Sequence, residues 1–371
     1  MQDDQGIARI SKTTFAHRIF AGMNFQQEIV NWYQQYKRDL PWRHTQDAYV
    51  IWLSEIIMQQ TRVEQGLPYF NRFLAEFPTV ADFAAATETE VLKLWQGLGY
   101  YSRGRNMHHT ARQVMEVHAG IFPVQYDQLL KLKGIGTYTA AAISSFAAGE
   151  SRAVVDGNVF RVIARYFGIA TAINSTEGKK EFELLANELI TGQNPMIYNQ
   201  AIMEFGALQC KPKSPDCSVC PLQLNCEARR QQLVAVLPVK LKKTVVRARY
   251  FNYLVLQQQA QVLVKKRQAG DIWQHLYDFP LIETQTMVEF PEYEFIQMVK
   301  NTYGNEVEIA HLVTKKHVLT HQIIYVQFFV LANYILNFKQ DAAVIWVDQH
   351  NLNDLPQPKV IANFIKSYLN L

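Results

Sequence analysis

The chain has 371 residues, 49% hydrophobic content and 37 basic against 33 acidic side chains, a net charge of +4. That is enough apolar material for two or three domains with real cores, which excludes a disordered or fibrous protein. So small a charge excess points to nucleic acid only where it clusters locally. No apolar run reaches the roughly 18 residues that span a bilayer, and no basic-led apolar stretch near residue 1 ends in a small-residue cleavage site, so a soluble, intracellular protein is expected.

Residues 1–22 show no clear period and are expected to form a disordered N-terminal extension. From 24 to about 193 the pattern is helical. FQQEIVNWYQQY, YVIWLSEIIMQQT, LPYFNRFLAEF, ADFAAATETEVLKLW, ARQVMEVHA, TAAAISSFAA, VFRVIARYFG and KKEFELLANELI repeat apolar residues at three- and four-residue spacing between Pro, Gly or polar breaks. No Val/Ile/Thr-rich alternation intervenes, so residues 23–228 are expected to be an all-α domain. Within it, residues 129–161 join two helices through Gly134-Ile135-Gly136, glycines that allow positive φ and leave N–H groups uncovered at a helix start. Such a hairpin is a ready anion site, although most Gly-x-Gly pairs are simple turns. Asp156 follows, between Ala153-Val154-Val155 and Gly157-Asn158.

Residues 229–246 change character. Over 229–249 the basic residues Arg229, Arg230, Lys240, Lys242, Lys243, Arg247 and Arg249 meet no acid, which suits a solvated linker and would also suit DNA phosphates. Beyond it, YFNYLVLQQQAQVLVKKR reads as a β-hairpin, VEIAHLVTKKHVLTHQIIYVQFFVLAN as two strands and AAVIWV as another. EFIQMVKNTYG and VIANFIKSYL are helical. Residues 247–371 are therefore expected to form a separate α+β domain.

All four cysteines, Cys210, Cys217, Cys220 and Cys226, fall within 210–226 as C-x6-C-x2-C-x5-C. In an intracellular chain this favours a metal centre over disulfides, and both zinc and a [4Fe–4S] cluster accept four thiolates.

That cysteine spacing, placed after a helix-hairpin-helix and an acidic residue, resembles the endonuclease III superfamily of DNA glycosylases. LPWR (40–43), WLSEIIMQQT (52–61), FPTV, LWQGLGYYSR (94–103), VDGNV and YNQAIMEFGALQC (198–210) resemble its adenine DNA glycosylase branch, the MutY family. The resemblance covers residues 24–230 and continues more loosely to the C-terminus. It implies a helix-hairpin-helix glycosylase domain holding a [4Fe–4S] cluster in the 210–226 loop, then a Nudix-like domain that recognises 8-oxoguanine. The implied partner is double-stranded DNA with A:8-oxoguanine or A:G mispairs. The protein is expected to be a cytoplasmic monomer, nucleoid-associated when bound to DNA.

Position by position, the resemblance implies roles. Glu55, which by itself reads as partnered, exposed or desolvated, matches the general acid that protonates adenine N7. Asp156 matches the carboxylate that stabilises the oxocarbenium-like sugar, with Asn158 orienting the sugar or water. Tyr138 occupies the place where strand-cleaving relatives carry a Schiff-base lysine, so no efficient lyase activity is expected; Lys131 and Lys133 lie on the preceding helix end. Trp42, Arg43, Met58, Tyr138 and Gln200 match the adenine pocket, with ordinary core as the alternative for Trp42 and Met58. The family more often has Leu at Met58, and some members have Glu at Gln200. Gln60 and Tyr100 match intercalating positions, and Gly134 and Gly136 the phosphate-holding hairpin.

In the C-terminal domain, GDIWQHLYDFP (270–280) matches GLWGGLYxFP, but the acidic Mg²⁺-binding cluster of a Nudix hydrolase does not follow, so no pyrophosphatase activity is expected. Leu319-Thr320-His321 stands where the family commonly has Phe-Ser-His. Thr320 keeps a hydroxyl for 8-oxoguanine while Leu319 loses an aromatic contact. The competing readings are an endonuclease III-like glycosylase/lyase, opposed by Tyr138 and the C-terminal domain, and a non-catalytic iron–sulfur DNA-binding protein, opposed by the presence of both Glu55 and Asp156.

Overall fold

The computed structural model describes residues 14–241, 246–336 and 343–369. The helical region comprises α1 (Thr14–Tyr36), α2 (Ala48–Ile57), α3 (Val63–Glu76), α4 (Val80–Ala85), α5 (Glu88–Trp95), α6 (Ser102–His118), α7 (Tyr126–Leu129), α8 (Thr137–Ala148), α9 (Gly157–Phe167), α10 (Thr176–Ile190), α11 (Pro195–Leu208) and α12 (Glu227–Arg230). Helical backbone begins at Thr14, ahead of Met23, while residues 1–13 lie outside the described residues. The segment ADFAAATETEVLKLW splits into α4 and α5. Thr87 caps Glu90 N–H while the Glu90 carboxylate returns to the Thr87 backbone N–H, a capping box that starts a new helix inside the apolar period.

Contacts divide the chain into two compact units, one drawn from Met1–Ala84 and His109–Lys242, the other from Ala85–His108 and Lys243–Leu371. In the first, Phe25, Ile29, Val162, Ile163, Phe182 and Phe205 belong to one core cluster, and Trp52, Phe73 and Phe83 pack as a group of rings. Helix α8 is buried from Thr139 to Phe146, as expected of a helix with no charged face. Its alanines and serines let α2, α7 and α11 close around it.

The second unit holds a seven-stranded sheet: β1 (Arg247–Gln258), β2 (Gln261–Lys266), β3 (Tyr277–Asp278), β4 (Leu281–Thr284), β5 (Glu308–Val318), β6 (Gln322–Ala332) and β7 (Val344–Asp348). Its order is β3-β2-β1-β6-β5, with β4 also pairing β1 and β7 pairing β2. The β1–β2 and β5–β6 pairs are antiparallel hairpins, whereas β1 and β6 run parallel from Arg247↔Gln322 to Leu256↔Leu331. Besides α5 and the start of α6, the unit holds α13 (Tyr293–Tyr303), buried through Phe295 and Val299 with Phe329, and α14 (Lys359–Tyr368), where Phe364 stacks on Phe328 at 3.9 Å. Arg249, counted with the basic linker on sequence, is a buried member of β1. It is bound to Asp271 at 2.7 and 2.8 Å and to Glu283 at 2.7 Å from two donors. Lys242 and Lys243 lie outside the described residues.

One close approach fixes where α9 starts. A Cβ added to Gly206 on α11 would lie 2.6 Å from Asn158 Cβ and 2.9 Å from Asn158 O. Gly206→Ala is therefore expected to push the two helices apart and cost about 1–3 kcal/mol, measured as a lower urea midpoint; an unchanged midpoint would mean the contact is soft.

Candidate active site

Helix α2 is buried along nearly its whole length, and Glu55 is carried inward with it, only 9% exposed. The odds for a lone Glu favour the surface, but Leu53, Ile56 and Ile57 leave no polar stripe here. Burial pushes its carboxyl up to about 7, aided by the negative charge of Asp156; the Tyr138 hydrogen bond and the Arg43 charge oppose the rise. The Tyr138 hydroxyl, on the first turn of α8, donates to Glu55 Oε2 at 2.6 Å.

Asp156 is the N-cap of α9. Its Oδ1 accepts from Asn158 N and Val159 N at 2.8 Å each, and its Oδ2 from Asn158 Nδ2 at 2.6 Å. Burial raises its pKa and these donors oppose the rise, each favouring the charged form. The turn-forming role that Asp156 would have in any chain is thus real, and the same bonds hold its carboxylate in place. The extended segment before it is held by α11 and α10: Asn199 Oδ1 accepts from Val154 N at 3.0 Å, its Nδ2 donates to Arg152 O at 2.8 Å, and Asn187 Oδ1 accepts from Ala153 N at 3.1 Å.

Arg161, one turn further along α9 and buried, donates to Asn158 Oδ1 (2.8 Å), Gly157 O (3.2 Å), Gly206 O (2.5 Å) and Cys210 O (2.7 Å). Sequence reasoning missed Arg161 and Asn199. Neither has a local signature, because the partners that tie each to the rest of the fold, Cys210 and Gly206 for Arg161 and Val154 and Arg152 for Asn199, lie 45 to 49 residues away.

Of the residues expected to line a base pocket, Arg43 lies near enough to Glu55 to act on its charge. Trp42, in the 3₁₀ turn Pro41–Arg43, is half-buried and meets Phe70 edge to face at 5.1 Å, so it is not a fully enclosed core residue. Met58 caps α2 at its C-terminus, with its sulfur against Gly66. Gln200, half-buried on α11, accepts at Oε1 from the Tyr33 hydroxyl at 2.6 Å. Gln60 is exposed and has φ 56, a left-handed backbone unusual for Gln.

In the hairpin, Gly134 adopts φ 77, but Gly136 does not need glycine's freedom: it is the N-cap of α8 at φ −94 and ψ −179. A Cβ there would meet nothing within 4 Å, and no side chain caps the helix. From α6, Thr110 Oγ1 donates to Lys133 O at 2.5 Å and Gln113 Oε1 accepts from Lys133 N at 3.2 Å, bracing the loop.

Cys210, Cys217, Cys220 and Cys226 line one cavity together with Arg165. Among the described residues no group of three or more His, Cys, Asp or Glu is gathered closely enough to hold a metal ion. Four thiols around one cavity are nevertheless a donor set that both zinc and an iron–sulfur cluster accept. Arg165, buried, lies with Nη1 3.4 Å from Cys210 Sγ, a donor aimed at the sulfur.

In the second unit, Leu319, Thr320 and His321 form the turn between β5 and β6, closed by Leu319 N to Gln322 O at 2.8 Å. Thr320 Oγ1 is hydrogen-bonded to the hydroxyl of Tyr100, which has φ 46 and is 43% exposed. These residues line a cleft with Trp273 and Arg105. Among the described residues no helix is long and apolar enough to cross a membrane.

Residues 53–190 match the family model of the HhH-GPD superfamily base excision DNA repair proteins, and residues 252–367 that of the NUDIX domain. The chain is 32% identical over 349 residues to the adenine DNA glycosylase of Buchnera aphidicola subsp. Schizaphis graminum, covering 93% of this chain and 98% of that one. It is 42% identical over 216 residues to the adenine DNA glycosylase of Homo sapiens, covering 56% of this chain and 40% of that one. Among solved structures, a thermostable thymine-DNA glycosylase aligns at 30% identity with TM-score 0.54, covering 58% of this chain and 99% of that chain. A non-covalent endonuclease III–DNA complex, at 21% identity and TM-score 0.50 over 61% of this chain and 99% of that one, shares the fold.

The raised pKa of Glu55 has a cost in stability. Because the folded state favours the protonated form, the contribution of this group to folding is fully present below pH 4.5 and is lost as pH rises through about 7. Glu55→Gln keeps the shape and removes the charge, so it is expected to stabilise the protein at pH 8 by up to about 3 kcal/mol, a gain that fades towards pH 4.5. Urea unfolding of both proteins across that range measures it, and a pH-independent difference would contradict the assignment.

Proposed function

The chain belongs to the adenine DNA glycosylase (MutY) family of DNA N-glycosylases, and we propose that it extrudes adenine mispaired with 8-oxoguanine or guanine from duplex DNA and hydrolyses its N-glycosidic bond without efficient strand cleavage. The observation that carries this reading is a pair of carboxyl groups in unlike environments. Burial raises both pKa values, but Glu55 rises to about 7 with the Tyr138 hydroxyl as its donor, whereas two backbone N–H groups and the Asn158 amide oppose the rise at Asp156 and favour its charge.

In this mechanism the Glu55 carboxyl gives its proton to adenine N7, and the N9–C1′ bond then breaks with its electron pair leaving on the base. Asp156, ionised, faces the positive charge that develops on the deoxyribose. Water adds its oxygen to C1′ and loses a proton, leaving an abasic site and free adenine. Asn158, locked to Asp156 and Arg161, orients the sugar or the water. Tyr138 orients the acid through its hydroxyl and, lacking an amine, offers no Schiff base at this position.

Trp42, Arg43, Met58 and Gln200 would surround the base. Gly134 and Gly136 would hold a phosphate at the start of α8, where the chain itself leaves room beside Gly136 and no side chain takes the helix N–H groups. Gln60 and Tyr100 would enter the base stack. Their left-handed backbones support this, since strained non-glycine residues gather at sites that engage ligands. Leu319, Thr320 and His321 would meet 8-oxoguanine, with the Thr320 hydroxyl as the polar contact. A [4Fe–4S] cluster on Cys210, Cys217, Cys220 and Cys226 would cross-link the end of α11 to α12 and take no part in bond cleavage.

The deciding experiment is single-turnover incubation with a duplex carrying A opposite 8-oxoguanine, with half of each sample treated with alkali. Strand breaks are expected only after alkali, and Asp156→Asn is expected to lower the rate by at least about a hundredfold; breaks without alkali, or full activity in that variant, would overturn the mechanism. The purified protein is expected to be yellow-brown with iron and sulfide in cluster proportion, and a colourless zinc protein would overturn the cluster.

A further inference from the structure

Two of the residues assigned to the adenine pocket are held in place by others. Glu204, one turn after Gln200 on α11, is 1% exposed and takes N–H bonds from both Arg43 (Nη1 at 3.2 Å, Nη2 at 2.7 Å) and Arg38 (N and Nε at 2.9 Å, Nη2 at 2.7 Å). Arg43 Nη1 also donates to Arg38 O at 2.9 Å, and its guanidinium lies 5.6 Å from the centre of the Tyr33 ring. The hydroxyl of that ring engages Gln200 Oε1 at 2.6 Å.

The chemistry of these partners matters. A carboxamide has a donor end and an acceptor end of nearly equal shape, and whichever end a neighbour occupies decides which end a ligand meets. With Oε1 taken by a phenol, the Gln200 Nε2 donors remain for the ligand. Arg43 can only donate, and a carboxylate bound in a fork keeps its plane fixed. The Glu204 carboxyl is held down at about 2 by its arginines, so this clamp does not loosen at any pH the enzyme would meet.

We propose that Tyr33 and Glu204 are positioning residues that fix Gln200 and Arg43 as a wall of hydrogen-bond donors, matched to the acceptor ring nitrogens of adenine and mismatched to a purine whose ring nitrogen carries a proton. This rests on the reading of Trp42, Arg43, Met58 and Gln200 as the adenine pocket. Hypoxanthine is the comparison base, because it keeps N7 and the purine outline but bears N1–H. Freed of the Tyr33 hydroxyl, the Gln200 amide can rotate and offer either end.

The test is single-turnover excision of adenine and of hypoxanthine from otherwise identical duplexes, by the wild-type protein, Tyr33→Phe and Glu204→Gln, with duplex affinity measured on an uncleavable 2′-fluoro nucleotide. Tyr33→Phe is expected to slow adenine excision about tenfold and to narrow the adenine-to-hypoxanthine rate ratio at least about fivefold, with duplex Kd within about twofold. Glu204→Gln is expected to act in the same direction. If Glu204→Gln does not fold, Tyr33→Phe decides alone. Two rates falling in proportion, or an unchanged ratio, would overturn the inference while leaving the adenine pocket standing. A wild-type protein that excises no adenine would overturn the pocket and the inference together.

Discussion

Arg161 is the residue on which the arrangement of the first unit depends. A buried guanidinium must have its donors met, and here they are met by the first turn of α9, by α11 at Gly206 and by the carbonyl of Cys210. Those bonds join the turn that carries Asp156 to the loop that carries the cysteines. The absence of a side chain at Gly206 is what lets α11 come close enough to accept. Cation, glycine and capping carboxylate therefore form one constraint, and the position of Asp156 is tied to a loop some fifty residues later in the chain.

Glu55 illustrates the opposite arrangement, a group kept where it is least comfortable. An apolar α2 with a carboxyl in its middle is a worse helix to bury than one with glutamine, and the fold tolerates it because the Tyr138 hydroxyl and the Arg43 charge soften the penalty. With the acid role proposed for Glu55, function and stability would pull against each other here, as they do wherever an acid must stay protonated near neutral pH.

Much of this was legible in the sequence. The helical period, the two hairpins, the cysteine spacing and Gly134 all state their geometry locally, because capping, turn formation and side-chain alternation act over a few residues. The roles proposed for Glu55 and Asp156 came only through resemblance; on their own they read as a surface acid and a turn former, and the second of these is literally true of Asp156. Tyr33, Arg161, Asn199 and Glu204 were not legible, since each gains its meaning from a partner distant in sequence. Arg249 shows the converse error. Composition placed it among solvated linker charges, but a strand with Asp271 and Glu283 beside it turns it inward.

The parallel pairing of β1 with β6 has a mechanical consequence. Parallel strands begin at the same end of a sheet, so the point where the chain comes into the second unit, at Arg247, lies beside the end of the turn that carries Leu319, Thr320 and His321. Backbone hydrogen bonding joins them directly, Arg247 N to His321 O at 3.3 Å. A displacement of Arg247 would thus reach that turn through the backbone and not through side chains, which makes the first residue of β1 a lever on the tip.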